Sequence, residues 1–332
     1  MAEEYARLTG RGKLRRLRGL AEEALARYDL DVADVRFHCF ATNLLYRIRT
    51  STGERFVLRL ASPGWRTLED LKAEAMWLAA LREETDVGAP FVLPSQSGER
   101  VLPMTGFGVP QTWYATLMTW VDGRLLVHHL TETNLKKMGR LFALLHIHGA
   151  SWKPPRDFTK KRFDAFLSRG EPDMLFEGPA LSRAHAEDFR TLTSARDWVE
   201  REYASLSDAD LRVIHCDLWH ENIKLDRGEL RPFDFEDTIW GYRLHDIAMG
   251  MLDLLETVGS ARYPALLSAF RGGYESLLDW PAGNLEVLQI GRMLWLLNYV
   301  ARFESEHLLS MVSKYAGAFR GFGSTGGLRL PN

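Results

Sequence analysis

The sequence predicts an α+β fold in two parts, an antiparallel-sheet N-terminal part and a mainly helical C-terminal part. Three strand-like runs, Val35–Phe40, Leu44–Thr50 and Arg55–Leu60, follow one another with only short polar turns between them, as antiparallel hairpins do. A second set of short runs, Leu211–Ile214, Ile223–Leu225 and Leu230–Phe233, reads as strand, loop, strand, turn, strand. Most long segments from Leu135 onward carry apolar residues at helical spacing.

Composition narrows the class. A chain of 332 residues, 46% apolar and 26% charged, has the make-up of an ordinary globular protein. Its length suits two lobes, placed here at residues 1–119 and 120–332. A net charge of −2 gives no electrostatic case for nucleic acid or a membrane surface. Two cysteines, Cys39 and Cys216, cannot build a disulfide framework, which fits a reducing compartment. The first residues lack the apolar core of a signal peptide. The longest apolar candidate, Met293–Val300, is too short to span a bilayer and carries Asn298. These observations predict a cytoplasmic protein.

In chain order, Leu14–Tyr28 reads as a helix with Leu17, Leu20, Ala21, Ala24 and Leu25 on one face. The three N-terminal strands come next, then a helix over Leu68–Arg82. Val87–Gly108 is rich in Pro, Gly and Ser and reads as connections and short strands. Trp113–Val121 is a buried strand running into Asp122-Gly123, where the hinge between lobes is placed. Leu135–His148 is a helix, and its His146 and His148, two apart, do not share a face. They read as satisfied helix-end histidines. Ser151–Pro179 is loop-like, anchored by Phe163, Phe166, Leu167 and Phe176, and Ser182–Leu206 is amphipathic. Ile247–Val258, Tyr263–Leu278 and Asn284–Phe303 read as three core helices. Trp280, Trp295, Tyr299 and Phe303 fit a core at that spacing better than a stacking site for a cation. Gly317–Asn332 is glycine-rich without periodicity and reads as a loose tail.

The chemistry concentrates in Val213–Asp246, VIHCDLWHENIKLDRGELRPFDFEDTIWGYRLHD. Polar residues sit at the strand ends: His215 and Asp217, Asn222 five residues on, then Asp234-Phe235-Glu236-Asp237. Two carboxylates and an amide converging on one point would hold a metal-bound polyphosphate and take a proton from an attacking hydroxyl. One acidic loop residue is usually a turn or cap; the joint spacing defeats that reading. His215, Cys216 and His220 lack the paired spacing and fourth partner of a zinc site.

His-x-Asp-x-x-x-x-Asn followed by Asp-Phe resembles the catalytic and metal-binding loops of the protein-kinase-like superfamily. Trp219-His220 within the loop, Asp-Phe-Glu-Asp in place of Asp-Phe-Gly, and His245-Asp246-Ile247-Ala248 are similar to one branch of it. That branch is the aminoglycoside phosphotransferase, choline kinase and type II homoserine kinase group, including the bacterial stress-response kinases. The resemblance runs from the first helix to Phe303. It implies a two-lobed protein-kinase-like fold, with ATP and Mg²⁺ as cofactors and a hydroxyl-bearing acceptor as partner.

Residue by residue, the resemblance implies Asp217 as catalytic base and Asn222 and Asp234 as metal ligands, hard oxygen donors that suit Mg²⁺. Thr42 and Asn43, ahead of Tyr46, stand where this group has a Ser/Thr-Asn turn that covers the phosphates. Read alone, they would be only a turn. Arg59 stands where kinases place the phosphate-reaching lysine, and Glu74, fifteen residues on, would hold it. The bland alternative is a surface arginine on an edge strand. Met118, Trp120 and Val121 fall where backbone reads the adenine edge. His215 and Asp246 are implied as braces, with Glu236 and Asp237 as supporting residues that approach a second metal or the acceptor, or are structural. Cys216 occupies a slot often held by glycine and is expected to be buried and inert.

Phosphorylation of a small-molecule hydroxyl, on an amino acid, amino alcohol or aminocyclitol, is the leading expectation. The absent Asp-Phe-Gly and Ala-Pro-Glu segments favour it over a Ser/Thr protein kinase of the stress-response type, which Pro63-Gly64-Trp65 resembles. A nucleotide-binding regulator without transfer activity rests only on Arg59 and the glycine-poor hairpin.

Overall fold

The computed structural model describes residues 2–182, 184–303 and 307–330. It divides into two compact units, and the chain passes from one to the other between Asp122 and Gly123. Two later stretches, 154–159 and 231–236, belong with the first unit.

In the first unit, α1 (Ala2–Ala6) and α2 (Gly10–Leu25) precede β1 (Val32–Phe40), β2 (Asn43–Thr50) and β3 (Arg55–Ala61). Then come α3 (Leu68–Glu84), β4 (Leu102–Gly106) and β5 (Val109–Thr119). The five strands form an antiparallel sheet in the order β1-β2-β3-β5-β4. Helix α2 starts earlier than its apolar face does, because Thr9 caps it by accepting the Gly12 N–H. Its buried residues are Leu17, Leu20, Ala21, Ala24 and Leu25. They pack with Leu44, Tyr46, Ile48, Leu58 and Leu60 from one face of the sheet. Helix α3 opens on a full capping box between Thr67 and Asp70.

The second unit begins with β6 (Arg124–Leu125), α4 (Glu132–Ser151), β7 (Arg162–Phe163) and α5 (Ala186–Ser205). It continues with β8 (Leu211–Ile214), β9 (Ile223–Asp226), the start of β10 (Glu229–Pro232), whose last two residues fall in the 231–236 stretch, and β11 (Ile239–Tyr242). The last three helices are α6 (Arg243–Tyr274), α7 (Leu285–Ala301) and α8 (Leu308–Thr325). The small sheets run β10-β9-β6 and β7-β11-β8. Gly259, at φ +72°, breaks α6 into the two helices the periodicity predicts.

Helices α4 and α6 cross closely because each offers a glycine at the crossing. A Cβ on Gly139 would lie 1.9 Å from the Phe270 carbonyl oxygen, and one on Gly273 would lie 1.9 Å from that of Lys136. Phe142 and Phe270 fill the space beside them edge to face, with centroids 5.1 Å apart.

The tail expected from Gly317 is corrected by α8. Leu308, Val312, Tyr315, Ala316, Phe319 and Phe322 form a buried helical stripe in the main core of this unit. Gly317 and Gly321 have nothing within 4 Å of an added Cβ, so they dilute the apolar pattern without disturbing the packed face. Residues 331–332 of that expected tail, and position 183 of the helix expected from Ser182, lie outside the described residues. Among the described residues, no helix is long and apolar enough to cross a membrane.

Candidate active site

In the first unit the strand register sorts side chains into rows, since cross-strand partners share a face. Cys39, Leu45, Arg59 and Thr116 form one row, and Arg36, Arg47, Val57 and Met118 form the next. Arg59 is therefore set beside an apolar strip, on the sheet face opposite the α2 core.

Arg59 is 2% exposed and Glu74 is 1% exposed, so neither is a surface residue. The guanidinium of Arg59 donates to both carboxylate oxygens of Glu74, to Oε1 at 3.1 Å and also to Oε2. Glu236 Oε2 lies 3.6 Å from the same guanidinium. Burial opposes the charge on Arg59, but Glu74 and Glu236 outweigh it and hold the group above its ordinary value. Asp234 also acts electrostatically on Arg59 and on the Cys39 thiol, which places its carboxyl near this face. Its own φ is +64°, an uncommon and costly conformation for a non-glycine residue.

Glu236 is 5% exposed and is clasped from several sides. Asn43 Nδ2 donates to its Oε2, and Trp65 Nε1 donates to its Oε1 at 2.8 Å. The carbonyl oxygen of Asn43 accepts the Ser62 N–H at 3.2 Å. Both ends of the Asn43 carboxamide thus point inward and pin the start of β2, while Thr42 stands exposed at the hairpin tip. Phe235 seats the segment by packing edge-on against Trp77 of α3, with centroids 5.5 Å apart.

At the far end of β5, Met118 is 8% exposed and bridges to Val92. The N–H of Trp120 donates to the Arg55 carbonyl at 3.0 Å. Its ring lies 4.6 Å from the Arg47 guanidinium and 5.7 Å from the His38 ring. Val121 follows, half-buried.

In the second unit the loop after β8 carries Asp217 and Asn222. Asn222 Nδ2 donates to the Asp217 carbonyl at 2.9 Å and to its Oδ2 at 3.1 Å. The other carboxylate oxygen of Asp217 accepts from Arg292 Nη2 at 3.3 Å. His215 is fully buried, and its Nδ1 accepts the Asp217 N–H at 3.4 Å.

The turn itself is held from below. Cys216 adopts φ +67°, and its N–H donates to Asp246 Oδ1 at 2.7 Å. Asp246 Oδ2 pairs with His146 Nε2 at 3.0 Å, and His146 Nδ1 pairs with the Tyr274 hydroxyl at 2.9 Å. Burial lowers the His146 pKa, so the neutral ring donates to Asp246 and accepts from Tyr274. Burial alone would raise the Asp246 pKa, but His146 and the Cys216 N–H overcome it and keep the carboxyl below its usual value. Burial pushes the Cys216 thiol up to about 12, which leaves it inert. Asp237, finally, is held by Arg169, whose Nη2 donates to the Asp237 carbonyl at 2.5 Å.

Sequence reasoning missed four of these side chains. His146 was read as a helix-end residue, yet it braces the loop through Asp246. Trp65 and Arg169 hold Glu236 and Asp237. Arg292 had a visible mark: it is the sole cation in the mainly apolar α7.

Residues 41–283 match the APH phosphotransferase enzyme family. The homoserine kinase of Neisseria meningitidis serogroup B is 28% identical over 140 residues, 42% of this chain and 43% of that protein. The match thus spans less than half of that relative's length. The amicoumacin kinase of Bacillus subtilis is 24% identical over 238 residues, 70% of this chain and 67% of that protein. A microcompartment-associated aminopropanol kinase has the same fold, with a TM-score of 0.75 at 22% identity over 94% of this chain and 99% of that one. An amicoumacin kinase in complex with AMP-PNP, Ca²⁺ and Ami also reaches 0.75, at 14% identity over 94% and 96% of the two chains. With the family match extending over most of the chain, from the β1–β2 turn to the loop before α7, this protein belongs to the APH phosphotransferase enzyme family.

Proposed function

We propose that this protein moves the γ-phosphate of ATP to a hydroxyl group of a small, amine-bearing molecule, with Mg²⁺ as the divalent ion. The observation that carries the reading is the grip of Asn222 on Asp217. By donating twice through its amide nitrogen, Asn222 fixes the carboxylate and turns its own carbonyl oxygen to other use. An amide oxygen of this kind, with the Asp234 carboxylate, is the hard donor set that suits Mg²⁺, which takes its remaining ligands from phosphate and water. When bound, the ion neutralises charge on the phosphates.

This chain's own residues do the rest. Arg59, held by Glu74, supplies a permanent cation for the phosphates in place of the usual lysine; its planar fork suits the two oxygens of Glu74. Thr42 and the backbone of the hairpin tip donate to phosphate oxygens, while Asn43 acts indirectly by locking the tip to Glu236. The apolar strip of Val57 and Met118 covers the base, whose edge is read by backbone near Trp120 and Val121. Asp217 accepts the proton of the incoming hydroxyl. Because the transfer is loose, its placement matters more than its basicity.

The amine-bearing acceptor is supported by the relatives, named as kinases of homoserine and aminopropanol. The test is ADP release from Mg·ATP with homoserine, 1-amino-2-propanol and choline as acceptors. One of these stimulates turnover by the wild type, and Asp217→Asn loses at least a hundredfold while still binding ATP. Equal turnover by wild type and Asp217→Asn would remove Asp217 as the base.

A further inference from the structure

We infer that Arg292 is the positioning residue of the Asp217 carboxylate, and that the loop before α5 sets its orientation through Glu171 and Trp295. The inference rests on the reading of Asp217 as the base.

Each carboxylate oxygen of Asp217 has its own donor. Oδ2 takes the Asn222 amide, and Oδ1 takes Arg292 Nη2 at 3.3 Å. Two donors from different elements define the plane of the carboxylate, which one donor cannot do. Such definition matters here because misplacing a reacting group by about 1 Å can cost about a hundredfold in rate.

Arg292 is itself held. Its guanidinium lies over the Trp295 ring at 4.5 Å, a stacking that fixes the plane of the fork. Trp295 Nε1 donates to Glu171 Oε1 at 3.2 Å, and Glu171 Oε2 accepts the Arg169 N–H at 2.7 Å. One turn further along α7, Asn298 Oδ1 accepts the N–H groups of Met174 and Leu175 at 2.8 and 3.0 Å, and its Nδ2 donates to the Pro172 carbonyl at 3.1 Å. Arg292, Trp295 and Asn298, three residues apart, thus form one stripe of α7. The stripe ties the base at one end to the 169–175 loop at the other. Arg169 returns from that loop to Asp237, so the path closes on the far side of the catalytic segment.

Electrostatics fits this geometry. Arg292 also lowers the pKa values of Asp253 and Glu256 on α6, which burial raises. It is therefore a cation acting on three carboxylates, of which, among the described residues, Asp217 is the one within hydrogen-bond reach.

The experiment compares wild type, Arg292→Ala, Arg292→Lys and Trp295→Phe for ADP release from Mg·ATP, with 1-amino-2-propanol, homoserine or choline, and with water alone. The expected result for Arg292→Ala is a kcat about a hundredfold lower with KM for ATP unchanged. Guanidinium chloride at millimolar, non-denaturing concentration restores part of that rate, and does not do so in Arg292→Ala/Asp217→Asn. Arg292→Lys keeps the charge without the fork and falls between the two; Trp295→Phe loses less and gains nothing from guanidinium. A loss confined to acceptor KM, without guanidinium rescue, would make Arg292 an acceptor ligand and overturn the inference. So would an unchanged kcat in Arg292→Ala. Failure of the functional reading shows elsewhere, as a wild type that consumes no ATP.

Discussion

The carboxylate of Asp246 accepts the backbone N–H of Cys216 at 2.7 Å, at the residue of the 215–222 loop whose φ is +67°. A left-handed cysteine costs about 1–2 kcal/mol, and Asp246 is what makes that conformation persist. Replacing Asp246 by Ala strands the Cys216 N–H and the ring N–H of buried His146, at about 1–3 kcal/mol each. Asp246→Ala is expected to lose about 3 kcal/mol in urea denaturation, and most of its activity. Cys216→Gly relieves the strained φ while giving up a buried thiol, so its stability stays within about 1 kcal/mol of wild type.

The Arg59–Glu74 pair predicts both stability and affinity. Removing one member of a buried ion pair costs about 3–5 kcal/mol because the other is left uncompensated. Glu74→Ala is therefore expected to unfold at lower urea and to bind ATP more weakly, by about tenfold or more in titration calorimetry. Because the pair is buried, added salt should change its contribution little. A Glu74→Ala protein as stable as wild type would show that Glu236 alone suffices to hold Arg59.

The α4–α6 crossing predicts a stability loss unrelated to chemistry. Gly139→Ala and Gly273→Ala each drive a methyl into backbone, and overpacking costs about 1–3 kcal/mol or more. Each variant should melt earlier than Gly272→Ala, whose Cβ would meet nothing within 4 Å.

Stability should fall on acidification below about pH 6.5. Burial lowers the pKa of His220 to about 4 and of His245 to about 3, and lowers that of His146 as well. These rings stay neutral in the folded chain while the unfolded chain binds protons below about 6.5, so folding is disfavoured as pH drops. At pH 5 each of His220 and His245 costs about 2 kcal/mol. Asp253 has the opposite sign: burial raises its pKa to about 7, so it takes up a proton in the folded chain between about pH 7 and 4. That offsets part of the loss. Urea midpoints at pH 7.5 and 5.0 measure the net effect, and Asp253→Asn should steepen it.

Much of the site was legible because its parts are contiguous. Asp217 and Asn222 are five residues apart on one loop, so spacing alone puts them together, and the His-x-Asp and Asp-Phe runs mark the strand ends. Arg59 and Glu74 are fifteen apart, yet a strand followed by a capped helix brings them together in a predictable way. The same logic failed for α8, where glycines on the open face hid a regular buried stripe. It failed again for His146, because nothing local distinguishes a histidine at the end of a helix from one that reaches Asp246, a hundred residues on.

By itself the sequence determined most of the element types and the fold class, and it supplied the candidate residues for the chemistry, since periodicity, turn residues and close spacing are local properties. Only the tertiary structure decided what holds those residues. It assigned Glu236 to Asn43 and Trp65, Asp246 to His146 and Cys216, and Asp217 to Arg292. Each of these partners comes from a different element, and the pairing follows from burial: a polar group taken out of water must find whatever donor or acceptor the packing brings within about 3 Å.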